Sequence, residues 1–229
     1  METLSKVKNS SNTLKTSFIA SLNAKVKKAN ILFADKLTDK LWNGLEIEQY
    51  IRYLQVQYHL TKGVQSTFLA MASHADTRPY KELRAFLINF GYEEEMHYKL
   101  AEKDLQELGS QTGEIPFVVE LWWAYQKAIL LTKPLERLGA TVILENIGNF
   151  AAPVIKELMV EADFITKKNS SFTQVHMHEE LPHGDQIMDA LANEYFSEQH
   201  QAQILEGATR ATWLYANTIF DWIITGKLI

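Results

Sequence analysis

Glu94 and His97 stand three residues apart in YEEEMHYKL, and His176, Glu180 and His183 return much later in VHMHEELPHG. A Glu-x-x-His pair projects a carboxylate and an imidazole from one helix face, the arrangement with which helical proteins hold di-iron or di-manganese centres. Positions i, i+4 and i+7 also share a face, so His176, Glu180 and His183 converge wherever their segment is helical. A di-iron site needs about six protein ligands, imidazoles mixed with carboxylates, so that one carboxylate bridges the ions and positions stay open for dioxygen. The sixth candidate is Glu145 in TVILENIGNF, where Val142, Ile143, Leu144, Ile147 and Phe150 make the setting apolar. A glutamate there must be paired, coordinate a metal or turn to solvent.

Each part has a plainer reading. Glu93, Glu94 and Glu95 also read as a solvated helix face, and His176, His178 and His183 as surface residues of a polar loop. The conjunction of both clusters with Glu145 favours metal. Pro182 complicates the closing motif, because proline inside a helix clashes with the carbonyl four residues back, here that of His178. If the helix begins only near Leu181, His178 or Glu179 takes the place of His176 or Glu180. The same interruption predicts that one ion binds more weakly than the other. His59 reads more readily as a hydrogen-bonded structural histidine than as a group of the site.

The elements that must position these residues are helices. The 229 residues include only ten glycines and five prolines, and long stretches are rich in Leu, Ala, Glu, Lys and Gln. An all-α, single-domain bundle of about seven helices over residues 1–229 follows, with residues 1–15 a basic arm. Helices are predicted over Leu14–Lys40, Glu46–Ser73, Lys81–Leu108, Phe117–Leu131, Leu135–Met159, Asp185–Glu206 and Gly207–Thr225, with Gly109 a C-cap and the fifth helix kinked by Gly148 and Pro153. The aromatic residues Trp122, Trp123, Tyr125, Trp213, Tyr215, Phe220 and Trp222 are mostly core, with one or two available to line a pocket.

Composition narrows the function classes. Zero cysteines exclude a disulfide scaffold, thiolate ligation and a cysteine nucleophile, and fit a reducing, cytoplasmic setting. A net charge of −5 gives no sign of a nucleic-acid partner. No apolar run reaches the roughly eighteen residues of a membrane span. The many large apolar residues make a homodimer plausible.

Several segments carry a family resemblance. NFGYEEEMHYKLAEKDLQELG resembles the second core segment of the haem-oxygenase-like superfamily, ILENIG its third, and HMHEELPHGDQ with QILEGATRATWLYANTIFDWI its closing motif and last helix. The resemblance runs from about residue 20 to the C-terminus and is nearest to the haem-oxygenase-like di-iron oxidases, including the CADD-like proteins. It implies Glu94, His97, Glu145, His176, Glu180 and His183 as ligands of two Fe(II) ions, with Glu145 bridging and manganese able to substitute. Two departures stand out: Glu180 replaces the commoner Asp, and Phe90 occupies the position where the first carboxylate often lies, with Glu93 a substitute for Glu94.

By that resemblance the chain is a dioxygen-dependent oxidase or oxygenase of a small carboxylate. An amino acid leads, through N-oxygenation or oxidative fragmentation, nitrile formation included. Fatty-acid decarboxylation and p-aminobenzoate formation are alternatives. Thiaminase-like members need a cysteine that this chain lacks. A haem-oxygenase reading built on His59 and Gly148 leaves Glu94, His97, His176 and His183 unexplained, while a cofactorless member or a non-enzymatic interaction module predicts no metal.

Overall fold

Helix-forming residues dominate every apolar run, and the computed structural model is helical to match. It describes the backbone of residues 2–41, 43–177 and 183–228, and the side chains of these except 2–13, 148–152 and 177. Eleven α-helical segments and no strand occur among the described residues. They are α1 (Glu2–Lys40), α2 (Ile47–Thr61), α3 (Val64–Ser73), α4 (Lys81–Glu93), α5 (His97–Glu107), α6 (Phe117–Leu130), α7 (Pro134–Glu161), α8 (Ser171–Met177), α9 (His183–Ala192), α10 (Glu198–Leu214) and α11 (Phe220–Thr225).

The segments outnumber the sequence expectation because several long helices are broken. Gly63, at φ 80°, ends α2 and turns the chain into α3, a conformation that a side chain would oppose. A 3₁₀ turn, Glu94–Met96, separates α4 from α5, and a π-helical turn, Tyr215–Ile219, joins α10 to α11. The predicted boundary at Gly207 is wrong. The chain instead breaks between Ala192 and Glu198, where the Ser197 side chain accepts a hydrogen bond from the His200 backbone N–H and caps α10.

Gly207 lies inside α10 because that helix runs against α7. A Cβ on Gly207 would fall 1.8 Å from the carbonyl oxygen of Glu136, and one on Gly139 of α7 would fall 2.0 Å from that of Ile204. The two helices therefore touch backbone to backbone. Around this contact Leu135, Leu138, Ile204 and Ala208 are fully buried. A leucine or isoleucine so buried contributes about 1.5–3 kcal/mol.

The remaining packing converges on one region. α1 lies against α7 and α10, α2 against α5, α3 against α4, and α9 against both α7 and α4, while α8 sits on α5 and α7. The junction of α4 with α5, the middle of α7, and the ends of α8 and α9 come together there. Pro134 opens α7 at its first turn, where the missing N–H costs nothing, and α7 continues through Pro153 to Glu161.

Candidate metal centre

Glu94 and His97 straddle the joint between α4 and α5 instead of sitting on one unbroken helix. The three-residue spacing still serves. His97 Nδ1 lies 2.9 Å from Glu94 Oε2, and Glu94 is 5% exposed. From the first residue of α9, His183 places Nδ1 at 3.0 Å from Glu94 Oε1 and 3.5 Å from Glu145 Oε2. His176, on α8, packs its ring 5.0 Å from that of His97 at 75°. Its Nδ1 lies 2.7 Å from the Phe172 carbonyl oxygen. A carbonyl only accepts, so Nδ1 carries the proton and Nε2 is left as the lone-pair donor.

Five of the six residues singled out by spacing and setting are thus brought together. Their donor atoms form two groups, Glu94–His97–His176 and Glu94–Glu145–His183, with all atoms of a group within 4.8 Å of one another. Glu94 is common to both groups, whereas the family pattern would give the bridging place to Glu145. Glu180, the sixth residue, and His178, Glu179 and Pro182 lie outside the described residues. Glu93, the alternative to Glu94, is half exposed with Oε2 3.6 Å from His183 Nε2. The Phe90 and His183 rings pack nearly perpendicular with centroids 4.7 Å apart, so Phe90 walls the cluster.

The charges of this cluster need a cation. Burial acts to raise the Glu94 carboxyl, but its contacts with His183 and His97 outweigh that and hold it down at about 2. Burial raises the Glu145 carboxyl, with Glu94 nearby adding to the shift and His183 opposing it. His183 shows the converse. Desolvation would lower it, yet Glu145 and Glu94 push it up to about 10. Among the described residues no Lys or Arg pairs with either carboxylate, so protonated imidazole supplies the positive charge in the absence of metal. Buried Glu94, partly buried Glu145 and three imidazoles, with no thiolate in the chain, are a donor set suited to iron or manganese.

A cavity of about 270 Å³ opens beside the cluster, with Glu94, Glu145 and His176 in its wall. Most of the remainder is apolar, including Leu37, Leu60, Leu144, Ile147 and Ile223. Trp122, Trp123, Tyr215 and Phe220 line it, so more of the singled-out aromatics face the cavity than the sequence indicated, while Tyr125, Trp213 and Trp222 lie elsewhere. His59 is outside it, with Nε2 3.3 Å from the Thr112 carbonyl. Arg137 and Thr141 also line the cavity and were missed from sequence. The signal was present: Arg137, Thr141 and Glu145 recur every four residues along a stretch that is otherwise mostly apolar.

Comparison with known proteins agrees with this architecture. No curated protein matches the chain. Its fold is similar to a crystal structure of a domain of unknown function with a haem-oxygenase-like fold from Shewanella denitrificans OS217, at 19% identity and a TM-score of 0.71, over 96% of this chain and 91% of that one. No helix among the described residues is long and apolar enough to cross a membrane. The profile of a haem-oxygenase-related family described as iron-containing redox enzymes matches residues 51–216, a span that holds every one of the candidate ligands, and the chain belongs to that family.

Proposed function

We propose that the protein is a dioxygen-dependent non-haem di-iron oxidoreductase acting on a small carboxylate. The observation that carries the reading is the pair of overlapping donor groups sharing buried Glu94 beside a mostly apolar cavity. Glu94, His97 and His176 would hold one ion, and Glu94, Glu145 and His183 the other, with Glu180 completing the set. Bound there, iron supplies redox chemistry with dioxygen as co-substrate.

The chain's own residues do the rest. The Phe172 carbonyl fixes the His176 ring and its tautomer through Nδ1. The Phe90 ring packed on His183 and the apolar lining keep bulk water from the donors. Metal binding must displace the proton from His183, so uptake releases protons. For the substrate, the cavity favours an apolar acid over a free amino acid. Among the described residues its acidic lining members are Glu94 and Glu145, both within the cluster, and neither is left to pair with an ammonium group.

Anaerobic reconstitution with Fe(II), metal quantification and stopped-flow absorbance on mixing with dioxygen test this reading. About two irons per chain with a transient visible band, both diminished in His97→Ala, support it. No bound iron and no transient would overturn it in favour of a cofactorless or non-enzymatic role.

A further inference from the structure

α6 is apolar on both of its faces. Val118, Val119, Trp122 and Ile129 are buried on its inner side, and Trp122 and Trp123 reach the cavity wall. A helix that is hydrophobic all round belongs in a setting that covers every side of it. Here the outer face is open. Phe117 is 51% exposed, Leu121 43%, and Leu131, which continues the helical conformation as the C-cap, 78%. Ala124 and Ala128 between them are exposed as well. Single exposed apolar residues need no explanation, but a contiguous row marks an interaction surface.

The row fits a second copy of itself. Its members follow one another at spacings of four, three, four and three residues, the seam of a helix pair. Ala124 stands at the centre, with Phe117 seven residues before it and Leu131 seven after. A two-fold rotation about an axis through Ala124 therefore sets Phe117 against Leu131 of the second copy at both ends. Leu121, three residues before the centre, comes level with small Ala128, four after it, so the helices can approach closely.

The charges obey the same symmetry. Glu120 and Lys127, seven residues apart, lie along one flank of the row; both are exposed, and neither side chain makes an ion pair among the described residues. At 1.5 Å per residue Glu120 lies about 6 Å before the centre and Lys127 about 4.5 Å after it. Antiparallel pairing thus brings Glu120 to within about 1.5 Å of axial register with Lys127 of the second copy, twice in each dimer. A parallel pairing would set both charges opposite the uncharged flank of Tyr125 and Thr132 instead.

We propose that the outer face of α6 is a homodimer interface, in which two copies of the chain pair antiparallel about a two-fold axis at Ala124. The face is about 21 Å long and about 10 Å wide, a footprint well below the roughly 800 Å² per partner of a standard interface. The dimer is accordingly weak and forms as concentration rises. It needs no metal and stands independently of the oxidase reading.

Sedimentation velocity of the full chain without metal, from about 1 to about 300 µM, is the test. The wild type is expected to move from its monomer mass of 26.3 kDa towards twice that value. Leu121→Glu changes an exposed position, so it should fold and stay monomeric throughout. Glu120→Lys and Lys127→Glu should each weaken association about threefold or more, and the variant carrying both should regain it. Because the chain has no cysteine, single thiols report the register. Ala124→Cys should join two copies by a disulfide on air oxidation, whereas Phe117→Cys, about 21 Å from its own symmetry mate, should not. A monomer at every concentration, a dimer that survives Leu121→Glu, a double charge variant no better than the singles, or equal cross-linking from the two positions would each overturn the proposal.

Discussion

Replacing Gly207 by alanine should push α10 away from α7 and destabilise the protein, although alanine is the better helix former. The new Cβ would meet the Glu136 carbonyl oxygen at 1.8 Å, against a floor of 3.0 Å for real contacts, so the backbones must separate by at least about 1.2 Å (3.0 − 1.8). Both atoms belong to helical backbone and no flexible side chain can absorb the shift. Alanine over glycine in a helix interior is worth about 1 kcal/mol in favour. Overpacking by one methylene already costs about 1–3 kcal/mol, and here fully buried Leu135, Leu138, Ile204 and Ala208 lose contact as well. A net loss of about 2 kcal/mol or more follows, which for a chain of this size lowers Tm by about 4–8 °C. Gly139→Ala meets Ile204 O at 2.0 Å and Ala208 N at 2.6 Å, so it should behave alike. One separation accommodates both methyl groups, and the double variant should therefore lose clearly less than the sum. Thermal unfolding of metal-free protein measures all three. An unchanged or raised Tm in Gly207→Ala, or strict additivity, would refute the backbone contact. Because α7 carries Arg137 and Glu145, weaker iron uptake should accompany the lower Tm.

Further outcomes concern the cluster and its supports. Glu94→Gln should reduce bound iron to well below half of wild type because both donor groups lose their shared carboxylate, while half-exposed Glu93→Gln should retain it; iron quantification after anaerobic reconstitution separates the two. Asp104→Ala should loosen α8, since Asp104 Oδ2 accepts the Phe172 backbone N–H at 2.8 Å; faster hydrogen exchange over residues 172–176 and weaker iron retention are the readouts. Burial and the Glu136 hydrogen bond raise the Tyr125 hydroxyl from 10.0 to about 12. The folded state thus keeps this proton where the unfolded chain has lost it, and the associated stability, complete below pH 10, is lost as pH rises towards 12. Denaturant unfolding of Tyr125→Phe across that window should show a shallower alkaline decline than wild type.

The all-α class and the candidate ligands were legible in the sequence because both depend on local spacing. Helix propensity and apolar periodicity act within a few residues, and Glu94–His97 keeps its contact even across a 3₁₀ joint, since three residues span one turn either way. Glu145 was legible because a carboxylate among Val142, Ile143 and Leu144 has few alternatives to pairing or coordination. Gly207 misled for the opposite reason. In isolation a glycine after a helical run signals an end, and only the approach of α7 shows that the missing side chain is what α10 requires there. Tertiary structure also decided that Glu94 is common to both donor groups, a relation among four segments far apart in the chain. Arg137 is the sharpest case. Sequence marks it as one arginine on a helix beside an acidic neighbour, whereas the packing of α7 points it into an apolar cavity and directs Glu136 to Arg210 and Tyr125, because helical neighbours in sequence face different sides.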